Sequence, residues 1–117
     1  MAYMLLILED PAQRSTRTRE EGEGVFQRML DFAGELKQQD KLLAVESLAS
    51  QNTGARVKVR GGKAQVLDGP FAEAKEMIGG FFLLNVRTRE EAVAIAQRCP
   101  AAEWATVEVR ETAPCYI

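Results

Sequence analysis

The sequence predicts an α+β fold in which two βαβ units share one sheet and a β-hairpin is inserted between them. The tetrapeptide Thr-Arg-Glu-Glu occurs at residues 18–21 and 88–91, each time between an apolar run and a helical pattern, and another strand-like run follows each helix. Two alternating runs flank Gly61-Gly62, as in a hairpin with a primed turn. Right-handed crossovers place both helices on one face of the sheet, which is the ferredoxin-like, or split βαβ, arrangement.

The first βαβ unit precedes the hairpin. Residues 3–8 are apolar and end at an acidic, proline-containing turn, which predicts a strand. Thr18 and Glu21 have the spacing of a capping box, and apolar residues then recur at helical intervals to about Gln39. Residues 42–49 predict the second strand.

The hairpin has one apolar and one basic face. Pairing across Gly61-Gly62 sets Val57 opposite Val66 and Val59 opposite Ala64 on the apolar face. The other face carries a stripe of charged and polar residues: Arg56, Lys58, Arg60, Lys63 and Gln65. This stripe is either an anion site or the solvated face that antiparallel ribbons ordinarily have.

The second βαβ unit follows the hairpin. Pro70 suits the start of a short helical turn through Glu76. Residues 81–87 predict a strand, and the helix that begins after Thr88 ends before Pro100. Residues 104–111 alternate and predict the last strand.

The two central strands predict a homodimer. Residues 3–8 and 81–87 are apolar at successive positions, as strands covered on both faces are. Two helices cover only one face, and large exposed apolar patches are rare in monomers. We therefore expect a second copy to cover the other face.

Composition bounds the class of protein. At 117 residues the chain is expected to be one domain, residues 1–117. A net charge of -2 gives no reason to expect nucleic acid or an anionic membrane as a partner. The longest apolar run, residues 4–8, is too short to span a membrane. The chain shows no basic segment followed by a long apolar segment, so we expect no signal peptide and a cytoplasmic protein. Cys99 and Cys115 are then expected to be reduced thiols.

The absence of histidine narrows the chemistry. Without histidine there is no His-dependent triad, no imidazole base and no usual zinc site, and we expect neither a metal nor a cofactor. Asp68 shares parity with the inward-facing Ala64 and Val66, so a partly desolvated carboxylate there would suit acid or base work. The alternative is that Asp68 fixes the turn before Gly69-Pro70. Lys75, with Glu73 nearby, would suit a ligand carboxylate or phosphate, although such residues are commonly solvated charges.

Residues 68–76, followed by Gly79-Gly80-Phe81-Phe82, resemble the signature of the DGPF proteins in the YCII-related family. Residues 3–6 and 107–110 fit the same pattern. The resemblance implies a ferredoxin-like domain that dimerises as a dimeric α+β barrel. A histidine and aspartate pair suggests an enzymatic role in that family; the aspartate corresponds to Asp68, and the histidine has no counterpart here. Some DGPF domains occur fused to or beside sigma factors, which implies a link to transcription initiation.

The residue pattern and the resemblance together support three hypotheses for function. The first is a small-molecule binding or sensing module, with a cleft between the sheet and the dimer partner and with Asp68 as its polar anchor. The second is a cofactor-free enzyme that uses Asp68, with Glu73 or Lys75, for proton transfer. The third is an accessory protein of a sigma factor.

Overall fold

The structure, a computed structural model, describes residues 2–117. Four of its strands form an antiparallel sheet in the order β2-β5-β1-β6, and β3 pairs with β4 in a separate hairpin. The bounds are β1 Tyr3–Glu9, α1 Arg19–Gln38, β2 Leu42–Ser47, β3 Ala55–Arg60, β4 Lys63–Asp68, β5 Met77–Leu84, α2 Arg89–Arg98 and β6 Thr106–Glu111. The expected ferredoxin-like topology, with β1 and β5 at the centre of the sheet, is confirmed.

Both helices begin at the threonine that the sequence indicates. At α1, the Glu21 backbone N–H donates to Thr18 Oγ1 at 3.1 Å, and the Thr18 backbone N–H donates back to Glu21 Oε1 at 2.8 Å. These bonds complete a capping box and lower the pKa of the Glu21 carboxyl. At α2, Thr88 Oγ1 accepts from the Glu91 backbone N–H at 3.2 Å. No helix within residues 2–117 is both long enough and apolar enough to cross a membrane.

The core lies between the helices and one face of the sheet. Along β1, every second residue is buried, and the residues between them are half-buried. Leu5 is paired with Phe82 of β5, whose ring meets the Phe32 ring of α1 edge-on with centroids 5.6 Å apart. The C-terminal half of α1 packs closely here, because Phe32 and Leu36 are its buried residues.

The opposite face of the sheet, hereafter the open face, is apolar at its centre. Its apolar residues come from the two central strands and pair across them: Met4 with Leu83, Leu6 with Phe81, and Leu8 with Ile78. Polar residues border it on β6, where Arg110 and Glu108 form an ion pair at 3.1 Å. The expectation that the two helices cover only one face therefore holds for the described chain.

The hairpin has the expected register and turn. Val57 pairs with Val66 and Val59 with Ala64. Gly61 and Gly62 have φ angles of +56° and +78°, which a primed turn requires and which glycine adopts without strain. Every residue of β3 and β4 is exposed, including the valines.

Around the start of β5, the structure differs from two local expectations. Residues 70–76 form a loop with one turn, closed by a 3.0 Å bond from the Ala74 N–H to the Phe71 carbonyl, in place of the expected helical turn. Strand β5 begins at Met77, so Gly79 and Gly80 lie inside the strand and do not precede it. The Glu9 side chain approaches Gly79 closely and the Glu46 backbone approaches Gly80, which is a tertiary requirement that local patterns do not express.

The two cysteines are free, and they differ in exposure. Cys99 lies in the core, and burial raises the pKa of its thiol, whereas Cys115 is exposed. A thiol reagent such as DTNB is therefore expected to modify one cysteine per native chain rapidly and both in guanidinium chloride. A Cys115→Ser variant should show no rapid modification at all; rapid reaction of that variant would contradict the burial of Cys99.

Candidate functional site

Asp68 is the last residue of β4, and it lies opposite Ala55. Its side chain is exposed in the single chain, and within residues 2–117 it forms no hydrogen bond or ion pair. Glu73 and Lys75 are exposed as well, in the loop that leads to β5. The described chain therefore gives the Asp68 carboxylate no hydrogen-bond or ion-pair partner.

The glycine and phenylalanine that follow Asp68 hold the base of the hairpin. The Gly69 N–H donates to the Gly54 carbonyl at 2.8 Å, and a Cβ atom on Gly69 would lie only 1.9 Å from the Gln51 carbonyl oxygen. Phe71 is buried, and the Arg56 guanidinium carbon lies 4.0 Å from its ring centroid. Gly69 and Phe71 thus have a structural role at this junction, which the signature alone does not distinguish from a chemical one.

A cavity of about 650 Å³ lies elsewhere, between α1 and the helix-facing side of the sheet. The N-terminal and middle turns of α1 form one side of the cavity through Gly22, Val25 and Met29, whereas the buried residues Phe32 and Leu36 lie further along the helix. Ile7 and Phe82 contribute apolar side chains from the sheet. This volume is within the range of small-molecule sites, roughly 300–1,000 Å³.

A buried ion pair lines this cavity. Glu9 is 7% exposed, and its two carboxylate oxygens accept from the Arg14 guanidinium at 2.7 Å and 3.3 Å. Arg14 also donates to the Leu48 carbonyl at 2.8 Å. Arg14 therefore balances the charge of the carboxylate and holds it in one orientation.

Glycine makes room for this pair. The register between β1 and β5 shifts at Ile7 and Leu8, so Gly79 lies in a bulge beside Glu9. A Cβ atom on Gly79 would lie 1.8 Å from Glu9 Oε1 and 3.1 Å from an Arg14 nitrogen. The bulge and the missing side chain together admit the carboxylate.

Trp104 lies at another wall of the cavity, between two arginines. The guanidinium carbons of Arg17 and Arg28 are 5.8 Å and 5.4 Å from its ring centroid. Arg28 also pairs with Glu103, and this hydrogen bond lowers the pKa of the Glu103 carboxyl. Arg17 lines the cavity, and within residues 2–117 no carboxylate lies within ion-pair distance of it; its charge contributes weakly to the lowered pKa of the Glu21 carboxyl.

The cavity was not among the sites that the sequence predicts. None of Asp68, Glu73 and Lys75 lines it. The available signal was the position of Glu9, which shares the parity of the buried Tyr3 and Leu5 along β1 and therefore points inward.

The arrangement of groups is suited to binding. Within residues 2–117 no cluster of three or more histidine, cysteine or acidic residues is placed to hold a metal ion. The cavity combines apolar walls with a few fixed polar groups, which is the usual form of a small-molecule site.

Comparisons with known proteins identify a family and a relative of this chain. A family model described as the YCII-related domain matches residues 1–115. An uncharacterised protein of Rhizobium meliloti (strain 1021) is 31% identical over 97 residues, which cover 83% of this chain and 78% of that protein.

Proposed function

This chain belongs to the YCII-related family, and we propose that it is a small-molecule-binding module that acts as a homodimer. The cavity beneath α1 carries this proposal. It is large enough for a ligand of small-molecule size, and the paired Glu9 and Arg14 give it a fixed polar wall. A location in the cytoplasm is part of the same proposal.

The binding test uses 1-decanol as a neutral apolar probe and two glycines of α1 as a matched pair. Gly22 lines the cavity and Gly24 does not, and a Cβ atom on either meets no atom within 4 Å. Wild-type protein is expected to bind one decanol per chain by calorimetry. Gly22→Phe should fill the cavity and weaken binding about tenfold or more, equivalent to ~1.4 kcal/mol, whereas Gly24→Phe should bind as the wild type does. Equal binding by both variants would place the probe elsewhere, and wild-type protein that binds neither decanol nor its charged analogues decanoate and decylammonium would refute the proposed function.

The open face supports the homodimer. Its centre is a continuous apolar patch formed by β1 and β5, and charged residues of β6 border that patch. A core of apolar residues with a polar rim is the usual composition of a subunit interface. The exposed valines of the hairpin offer further apolar surface to a second copy.

Leu6→Glu is expected to convert the dimer into a monomer at micromolar concentration. Leu6 lies at the centre of the open face, where a second copy would bury the new carboxylate without a partner, at a cost of several kcal/mol. Light scattering after size exclusion measures the mass, which is 13.0 kDa per chain. Ala94→Glu, on the exposed side of α2, is the control and should remain dimeric. A wild-type protein that is monomeric at micromolar concentration would contradict the proposed dimer.

A cleft at the dimer interface, with Asp68 as its anchor and Glu73 and Lys75 nearby, is a second location for the ligand. It depends on the partner subunit, because Asp68 has no contacting group in the single chain. Asp68→Asn should abolish any turnover if Asp68 is an acid or base, and should leave binding in the α1 cavity unchanged. The enzyme hypothesis and the link to a sigma factor stay predictions; a sigma-factor gene beside this gene would favour the latter.

A further inference from the structure

We infer that the cavity beneath α1 selects an amphipathic anion, with the apolar body inside the cavity and the anionic head on Arg17. This inference rests on the proposed function, because it names the class of ligand for the same cavity. It follows from the charges that line the cavity, the position of Arg17 and the apolar walls.

The charges that line the cavity leave one cation without a partner in the described chain. Glu9 and Arg14 neutralise each other at 2.7 Å, and Arg19 pairs with Glu23 at 2.9 Å. Glu46 lies opposite Phe81 in the register, so strand alternation directs its side chain to the open face. Arg17 remains, and within residues 2–117 its guanidinium donates no hydrogen bond.

Arg17 is held in place although its donors are unused. Arg17 is half-buried and precedes Thr18, the N-cap of α1. The positive end of the helix dipole is therefore close by, and it favours an anion bound next to Arg17. The face of Trp104 stabilises the guanidinium through a cation–π contact at 5.8 Å. Such a contact leaves the N–H groups free, so they can bind a carboxylate or phosphate in bidentate geometry.

The remainder of the cavity suits an apolar body. Val25 and Met29 of α1 face Ile7 and Phe82 of the sheet across it. Burial of methylene groups is favourable, so an alkyl or aromatic chain would provide most of the affinity and the anionic head would provide the selectivity. A ligand that is charged along its whole length would offer no apolar surface to pack against these walls.

The test compares three probes that share a ten-carbon chain: decanoate, 1-decanol and decylammonium. Wild-type protein should bind decanoate about tenfold more tightly than decanol, and decylammonium most weakly, because the head group meets a partly buried cation. Trp104 is the single tryptophan, so its emission reports binding next to Arg17, and calorimetry provides an independent affinity.

Substitutions of Arg17 then assign the preference to this residue. Arg17→Gln should remove the tenfold preference for decanoate while decanol affinity stays unchanged, and Arg17→Lys should retain part of the preference. Arg87→Gln, an exposed arginine outside the cavity, is the control and should behave as wild type. Equal affinities of wild-type protein for decanoate and decanol, or a preference that survives Arg17→Gln, would overturn the inference and leave the proposed function intact. If none of the three probes binds, both fail.

Discussion

Gly69→Ala is expected to lower the free energy of unfolding by about 3 kcal/mol, because the added methyl group overlaps a backbone atom. Its Cβ would lie 1.9 Å from the Gln51 carbonyl oxygen, and the adjacent bond from the Gly69 N–H to Gly54 restricts any shift. The hairpin and the turn at Gln51 would have to separate. Urea denaturation measures the loss, and proteolysis at the base of the hairpin should rise with it.

Asp68→Asn is the matched control for Gly69→Ala. Asp68 is exposed and has no side-chain hydrogen bond within residues 2–117, so its replacement should change the unfolding free energy by less than about 0.5 kcal/mol. A loss as large as that of Gly69→Ala would instead show that the Asp68 carboxylate fixes the turn. If Gly69→Ala is as stable as the wild type, the close approach of Gln51 to Gly69 does not constrain the base of the hairpin.

Gly79→Ala is expected to lower the free energy of unfolding by about 3 kcal/mol and to alter decanoate affinity, because it displaces the Glu9 carboxylate, which neutralises Arg14 beside the cavity. The new Cβ would lie 1.8 Å from Glu9 Oε1, and Arg14 holds that carboxylate at both oxygens. Leaving the buried Glu9 carboxylate uncompensated costs about 3 kcal/mol, the lower end of the range for a buried ion pair, because the Arg14 side chain is 32% exposed and stays partly solvated. Urea denaturation gives the stability, and titration with decanoate gives the affinity.

Gly34→Ala is the control for Gly79→Ala. A Cβ atom on Gly34 meets no atom within 4 Å, and alanine in a helix interior is favoured over glycine by up to about 1 kcal/mol, so this variant should be slightly more stable. Wild-type stability and affinity of Gly79→Ala would show that Glu9 moves without cost and that the pair does not shape the cavity.

The topology was predictable because local signals agree with the global fold. The capping residues Thr18 and Thr88 mark where both helices begin, and the Gly61-Gly62 turn sets the hairpin register. The continuous apolar runs identify β1 and β5 as central strands. The start of β5 was predicted too late, because glycines at its beginning indicate a turn locally, whereas here close approach of Glu9 and Glu46 requires them.

The candidate site was less predictable, because a cavity depends on the spacing between distant elements. The signature around Asp68 and the parity of Asp68 in β4 indicate a functional residue, but both are local properties. The described chain gives the Asp68 carboxylate no hydrogen-bond or ion-pair partner. The cavity exists because the N-terminal half of α1 covers the sheet without filling the space below it. No periodicity in the sequence encodes that gap, although the inward parity of Glu9 indicates a polar group in the core.

A crystal structure of the protein with decanoate tests most directly whether the cavity beneath α1 is the ligand site. We expect density for one decanoate per chain inside that cavity, with its alkyl chain against Met29 and Phe82 and its carboxylate within hydrogen-bond distance of Arg17. An empty cavity, with the ligand instead beside Asp68 at the dimer interface, would show that the cavity beneath α1 is not the ligand site.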